Sequence, residues 1–154
     1  MPRYIGEYDC KVDAKGRVVV PAGLKKQIPK EAGGEMVINR GFDKCLTLFT
    51  RADWDKEVEK LDGLSTFNKK ERQFMRLFNS GATELSIDNA GRILIPQRLM
   101  EYAEIENDAV FYAWGNKIEI WSKKHHDEQM AIDADEFSDL AEEVMSKPKK
   151  NDND

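Results

Sequence analysis

The chain has little of what would take it into or across a membrane. Its longest uncharged apolar stretch runs only from Ala109 to Gly115, far short of the roughly 20 residues that a spanning helix needs. The opening Met1-Pro2-Arg3-Tyr4 lacks the apolar core of a signal peptide, so a cytoplasmic protein is expected. Cysteine is scarce: Cys10 and Cys45 form no C-x-x-C pair, which argues against a disulfide framework. Each falls in an expected strand with no evident His partner, so both read as small buried thiols. The two histidines, His125 and His126, are adjacent. On a helix they would point roughly 100° apart, a poor metal pair, and a solvated helix start is expected. There is no phosphate-binding glycine loop, and Gly33-Gly34 reads as a turn. Carboxylates are plentiful, but no spacing singles out an acid–base pair. The expectation is a protein that is not an enzyme and takes no cofactor or metal.

What is present is soluble globular composition. The 154 residues are 40% hydrophobic and 34% charged, enough for one ordinary domain or two small ones. The formal net charge of −5 argues at first against a polyanionic partner, but it is unevenly spread. Residues 1–50 hold nine Lys/Arg and six Asp/Glu, whereas residues 127–154 hold three and ten. The acidity belongs to the C-terminal segment, and the first third is basic.

The most informative feature is an internal repeat. Residues 10–24 match residues 85–99 at an offset of 75, pairing Asp13 with Asp88, Gly16 with Gly91, Arg17 with Arg92, Pro21 with Pro96 and Leu24 with Leu99. The apolar positions Val12, Val18 and Val20 match Ile87, Ile93 and Ile95. Farther on, Leu46–Phe49 matches Ile118–Trp121 at an offset of 72, so the second copy has a shorter final hairpin loop. Each copy reads as strand, tight turn, strand, short helix and hairpin. Asp-x-x-Gly-Arg suits a three-residue hairpin loop with glycine in the left-handed position. Asp13 can then pair with Arg17, and Asp88 with Arg92. Leu24 and Ile28 would face inward from the short helix. One copy of about 40 residues is too small to bury its own core, so the two should share one.

The fold class expected is α+β with a mainly β core: two tandem modules forming one pseudo-two-fold β-barrel with peripheral helices. Residues 5–50 are the first module, 51–81 a helical linker, 82–122 the second module, 123–145 a single C-terminal helix and 146–154 a disordered acidic tail. Thr50-Arg-Ala-Asp53 resembles a capping box, followed by Trp54, Val58 and Leu61 on one face. Asn68-Lys-Lys-Glu71 opens a second helix, with Phe74, Leu77 and Phe78 together and Arg72 and Arg76 elsewhere. Met130, Ala134, Phe137, Ala141 and Val144 form a stripe read as core packing, with an oligomer seam as the alternative.

The paired Asp-x-x-x-Arg hairpins, each with Pro shortly after, resemble the AbrB-type swapped-hairpin fold. Two in one chain, with Asn68-x-x-x-Arg72-x-x-x-Arg76 between them and Trp121 ending a strand, resemble the MraZ family of bacterial transcriptional regulators over roughly residues 5–145. The resemblance implies a pseudo-dimer within each chain, assembled into a closed ring of eight or more protomers. It implies binding to short direct repeats of double-stranded DNA upstream of its own gene, at the head of a division and wall-synthesis cluster, and a place in the cytoplasm at the nucleoid. On that reading Lys15 and Arg17 carry the DNA contact, since Arg can read guanine bidentately and Lys suits phosphate. Lys11 and Arg3 would add backbone contacts. A structural, Asp13-bound role for Arg17 can coexist with this. Asp13, Gly16, Asp88, Gly91 and Arg92 are read as structural, and Ala90 in place of Lys15 makes the second hairpin less basic. Lys25 and Lys26 stand where many relatives have Arg, whose planar fork Lys lacks. Arg72 and Arg76 would meet a neighbouring protomer or line a solvated helix face. The alternative function is a ring-forming interaction scaffold or an AbrB-like antitoxin. No membrane and no small-molecule substrate are expected.

Overall fold

The computed structural model describes residues 3–147. The first copy runs β1 (Gly6–Lys11), β2 (Arg17–Val19), α1 (Ala22–Lys25), a 3-10 turn (Lys30–Ala32), β3 (Glu35–Arg40), β4 (Leu46–Thr50), α2 (Arg51–Glu59) and α3 (Lys69–Ser80). The second runs β5 (Thr83–Ser86), β6 (Arg92–Leu94), α4 (Gln97–Ala103), β7 (Asp108–Trp114), β8 (Lys117–Ser122), α5 (Lys123–Gln129) and α6 (Ala134–Met145). The architecture is α+β with antiparallel sheet throughout.

The two copies exchange strands. A six-stranded sheet runs β1-β7-β8-β4-β3-β5, and β2 pairs with β6 in a separate two-stranded ribbon. Exchanging first-copy strands for their second-copy equivalents reverses the six-strand order, so a pseudo-two-fold axis passes between β4 and β8. The first strand of each copy pairs with the final hairpin of the other: Tyr8 opposite Phe111, and Leu85 opposite Met36. Backbone bonds elsewhere repeat the pattern. Ile95 N–H donates to the Gly16 carbonyl at 2.9 Å, and Val20 N–H to the Gly91 carbonyl at 2.8 Å.

This corrects the expected barrel. The ladder ends at β1 and β5 rather than closing, because β1 meets β2 only at the Val12–Val18 bridge. Past that bridge β2 leaves its own copy to pair with β6, Arg17 opposite Leu94 and Val19 opposite Arg92. The open ends carry Glu7, Asp9, Lys11 and Glu84, charges that discourage further edge pairing.

One core lies between the ribbon, the short helices and the large sheet. Leu24 and Leu99, Val18 and Ile93, and Val20 and Ile95 occupy equivalent positions and are almost fully buried. Leu46, Leu48, Phe111, Ile118 and Ile120 meet them from the sheet. Such side chains each contribute about 1.5–3 kcal/mol of transfer free energy. A second cluster, Val37, Phe49 and Trp54, holds the helices of the first copy. Trp54 stacks on Phe78 with centroids 5.5 Å apart and ring planes 3° from parallel. The C-terminal carbonyls of α3 are satisfied by side chains from β3. Asn39 donates to Phe78 O at 2.8 Å, and Arg40 to Leu77 O at 2.7 Å.

Thr50 caps α2 by accepting from Asp53 N–H, and Asn68 caps α3 by accepting from Glu71 N–H. Leu61 falls in the turn past α2. The single C-terminal helix divides in two. Asp133 accepts from Glu136 N–H and starts α6 afresh, while α5 ends at Gln129 with Met130 as its C-cap. The apolar stripe also needs correction, since α6 buries none of its residues and Phe137 is 64% exposed. Ser146 is the C-cap of α6, and positions 148–154 of the expected tail lie outside the described residues. The histidines are not solvated. His126 is buried against Tyr112 and faces the Glu7 carboxylate. His125 lies 2.9 Å from Glu104 Oε2. Glu104, the left-handed C-cap of α4, also takes Lys44, and the Lys44 bond first, then that of His125, pulls its carboxyl down to about 2. Cys45 is buried as expected, but Cys10 is only half-buried. Burial pushes the thiols up, to about 12 and about 11.

Because the copies share one core, Leu24→Ala and Leu99→Ala should each cost about 2–5 kcal/mol and lower the midpoint of the same single transition. Urea unfolding followed by tryptophan fluorescence and far-UV circular dichroism checks this. Two separable transitions would mean that the copies fold independently.

Candidate nucleic-acid interface

Both Asp-x-x-Gly-Arg segments form the same turn. Gly16 N–H donates to the Asp13 carbonyl at 3.0 Å, and Asp13 N–H to the Arg17 carbonyl at 3.0 Å. Asp88, Gly91 and Arg92 repeat this at 2.9 and 2.9 Å. Gly16 and Gly91 have φ of 91° and 79°, which only glycine adopts readily. An added Cβ at Gly16 would lie 2.7 Å from the Ile95 carbonyl oxygen.

The aspartate organises each turn from its side chain. Asp13 Oδ1 accepts from the backbone N–H of Lys15 and of Arg17, both at 2.9 Å, while Oδ2 accepts from Arg17 Nε at 2.8 Å. Asp88 does the same for Ala90 and Arg92, with Arg92 Nε 3.0 Å away. The Arg17 backbone N–H, then its guanidinium, hold the Asp13 carboxyl below its ordinary value; the Arg92 backbone N–H leads for Asp88. Only Nε of either arginine is used. Among the described residues no hydrogen bond is made by the Nη groups of Arg17 or Arg92. Each guanidinium is therefore fixed at one corner and leaves its two-pronged end to solvent.

These arginines share one face of the β2–β6 ribbon. Residues two apart in a strand point the same way, so Arg17 and Val19 face out while Val18 is buried; Arg92, Leu94 and Ile93 repeat this. The cross-strand register sets Arg17 beside Leu94 and Arg92 beside Val19. Val19 is 56% exposed and Leu94 55%. The outer face is thus two braced arginines interleaved with two bare apolar side chains. A two-stranded ribbon is narrow enough for a DNA major groove of about 12 Å.

Each end of the ribbon carries a lysine, from different positions. Lys15 is exposed at the tip of the first turn. The second has Ala90 there, but the Lys25 ammonium lies 3.4 Å from where a Cβ of Gly91 would be. The residue equivalent to Lys25 is Met100, which lies under Gly16. The lysine missing from the second hairpin is thus supplied by α1 of the first copy. Sequence reading missed Val19 and Leu94 as members of this face, and noted Lys25 only through the resemblance, as a Lys where many relatives have Arg, without placing it at the second turn. An apolar residue two beyond each Arg, outward by period-2 alternation, was the available signal for Val19 and Leu94. Nothing local signals that place for Lys25.

The other expected contact residues lie elsewhere. Lys11 is paired with Asp108 at 2.5 Å. Arg3 lies beyond the far end of β1, beside Tyr4, whose N–H donates to the Gly115 carbonyl at 2.8 Å. That is roughly 33 Å of extended chain from Asp13, where the first turn begins. Arg72 and Arg76 lie on α3; Arg72 donates to the Thr66 carbonyl at 2.8 Å.

Comparison with known proteins agrees with the duplication. The family model described as "MraZ protein, putative antitoxin-like" matches residues 4–77 and again 78–147. A "Transcriptional regulator MraZ" of Cytophaga hutchinsonii is 40% identical over 147 residues, covering 96% of this chain and 97% of the relative. One of Christiangramia forsetii is 41% identical over 146 residues, 94% of each. One of Clostridium tetani is 38% identical over 141 residues, 92% of this chain and 96% of the relative. With the tandem match spanning both strand-exchanged copies, the chain belongs to the MraZ family.

Proposed function

We propose that this chain is a sequence-specific DNA-binding transcriptional regulator that lays the β2–β6 ribbon in the major groove. The observation that carries the reading is the pair of arginines held at Nε by Asp13 and Asp88, with their Nη ends unengaged. A guanidinium fixed in this way meets guanine O6 and N7 bidentately with little further ordering cost. Val19 and Leu94 suit contact with thymine methyl groups. Lys15 and Lys25, one at each end, suit phosphate. No described helix is long and apolar enough to cross a membrane, and the reading places the protein in the cytoplasm, at the nucleoid.

One ribbon is a small footprint, so a single protomer binds weakly. Tight binding then comes from a closed ring of eight or more protomers gripping short direct repeats upstream of the protein's own gene, which heads a division and wall-synthesis cluster. Effective concentration raises affinity without new contacts, and head-to-tail contacts that close give a ring. Arg72 and Arg76 face the neighbouring protomer in this arrangement. The DNA-binding role takes precedence over the scaffold or antitoxin alternative because the outward arginines and lysines gather on one face.

Arg17→Ala and Arg92→Ala should each weaken binding to upstream DNA by about 10- to 100-fold, since a bidentate base contact is worth about 1–3 kcal/mol. Circular dichroism should stay unchanged. An unchanged gel shift for both variants overturns the reading. Lys15→Ala and Lys25→Ala should each reduce the slope of log K against log salt by about 0.9 for every phosphate no longer neutralised. A slope that moves for Lys15→Ala alone would confine the interface to the first hairpin.

The two aspartates also set a pH dependence. Their folded values lie below the ordinary 3.8, so the bracing is complete above that value and is lost as pH falls through the lowered folded value. The turn-dependent part of DNA affinity should therefore be flat across neutral pH. Asp13→Asn should lower affinity at every pH in that range, as measured by fluorescence anisotropy.

A further inference from the structure

Away from the ribbon, two apolar surfaces among the described residues stand exposed, and they differ in charge. The first is the outer stripe of α6. Phe137, Leu140, Val144 and Met145 fall at i, i+3, i+7 and i+8 and are 64, 49, 55 and 78% exposed. The other faces of α6 carry Asp135, Glu136, Asp139, Glu142 and Glu143, with no Lys or Arg between Ala134 and Met145. The second is a groove of about 250 Å³ between α3 and the β3–β4 loop, lined by Arg40, Phe42, Phe74, Leu77, Phe78 and Tyr102. Phe42 is 86% exposed and Leu77 58%, and Phe42 and Phe74 stack with centroids 6.5 Å apart. The helix beside this groove bears Lys69, Lys70, Arg72 and Arg76 against Glu71 alone. Among the described residues none of these four basic side chains has an acidic partner.

The pseudo-symmetry explains why the apolar face of α6 is left exposed. Thr50 and Ser122 are equivalent N-caps, so α2 corresponds to α5 and α3 to α6. In the first copy Trp54 stacks on Phe78 and fastens α3 to the sheet. The equivalent of Trp54 is His126, which turns to Glu7 and Tyr112 instead. The second copy has no aromatic anchor at that place, and α6 keeps its apolar face outside.

We propose that α6 of one protomer docks in the Phe42–Phe74–Leu77 groove of a second copy of this chain. The helices are both 12 residues long, about 18 Å. An acidic helix with an apolar stripe meets an apolar groove flanked by a basic helix, so burial and charge favour the same seating. The two surfaces differ, so the contact is head-to-tail and each protomer keeps one of each open until a ring closes. This inference rests on the self-assembly proposed above, and gives it an interface.

The test uses the full chain and two double variants at exposed positions, Phe137→Asp/Leu140→Asp on α6 and Phe42→Asp/Leu77→Asp at the groove. Mass is read by sedimentation velocity across a concentration series, with circular dichroism as the check on folding. The expected result is an oligomeric parent, each variant monomeric alone, and their equimolar mixture forming a dimer of twice the chain mass through the one intact pair of surfaces. Added salt should weaken that dimer. A parent oligomer that neither variant disturbs overturns this interface while leaving self-assembly standing. A parent that is monomeric throughout overturns both. Variants that stay monomeric when mixed overturn the pairing of these two surfaces and point to a different protein as the partner of α6. A Phe137→Cys/Leu77→Cys chain that cross-links within a single chain, rather than between chains, shows α6 folding onto its own groove and likewise overturns the proposal.

Discussion

Neither repeat can satisfy its own backbone. The first strand of each copy finds its hydrogen-bonding partner only on the final hairpin of the other, β1 on β7 and β5 on β3. A buried N–H or C=O left unpaired costs about 1–3 kcal/mol, so a lone copy would lose a row of such bonds. It would also leave Leu24 or Leu99 facing water. The reciprocal bonds of Gly16 to Ile95 and Gly91 to Val20 place this dependence at the centre of the molecule. What would be a dimer in a single-repeat protein is here made obligatory by a covalent link between the copies.

That exchange also builds the ribbon. β2 and β6 have three residues each, too short to stand as an isolated hairpin. They are held because Val18 and Ile93 anchor them from below and because each Gly carbonyl is bonded to the chain of the other copy. Arg17 and Arg92 project from a platform whose rigidity comes from the shared core. Local chemistry then does the fine positioning: one carboxylate fixes two backbone N–H groups and one guanidinium corner in each turn.

Much of this was legible in the amino-acid order because it is local. Asp-x-x-Gly-Arg states its own turn: glycine supplies the left-handed residue and aspartate the acceptor. Thr50 and Asn68 announced their helices by capping. The partners of the strands were not legible from periodicity, since alternation says which face is buried but not which strand lies alongside. The resemblance to swapped-hairpin proteins pointed to the exchange, whereas the pattern itself suggested a closed barrel. The break between α5 and α6 could have been read from Asp133-x-x-Glu136, the same kind of sign as Asn68-x-x-Glu71, but a continuous apolar stripe masked it. The resemblance drew attention to Lys25, but its seat at the second turn had no such sign, because it reaches that turn only through the exchange of copies.

The duplication has drifted unevenly, and this has a geometric consequence. Lys15 and Met100 attend one turn, Ala90 and Lys25 the other, and His126 stands where the first copy has Trp54. A perfectly two-fold object has no front or back, and whatever it touches must tolerate either orientation. This chain keeps the two-fold where strength is needed, in the core and ribbon, and breaks it at the rim. Each molecule thereby acquires an arrow. Objects with an arrow can be set in file, every one facing the same way.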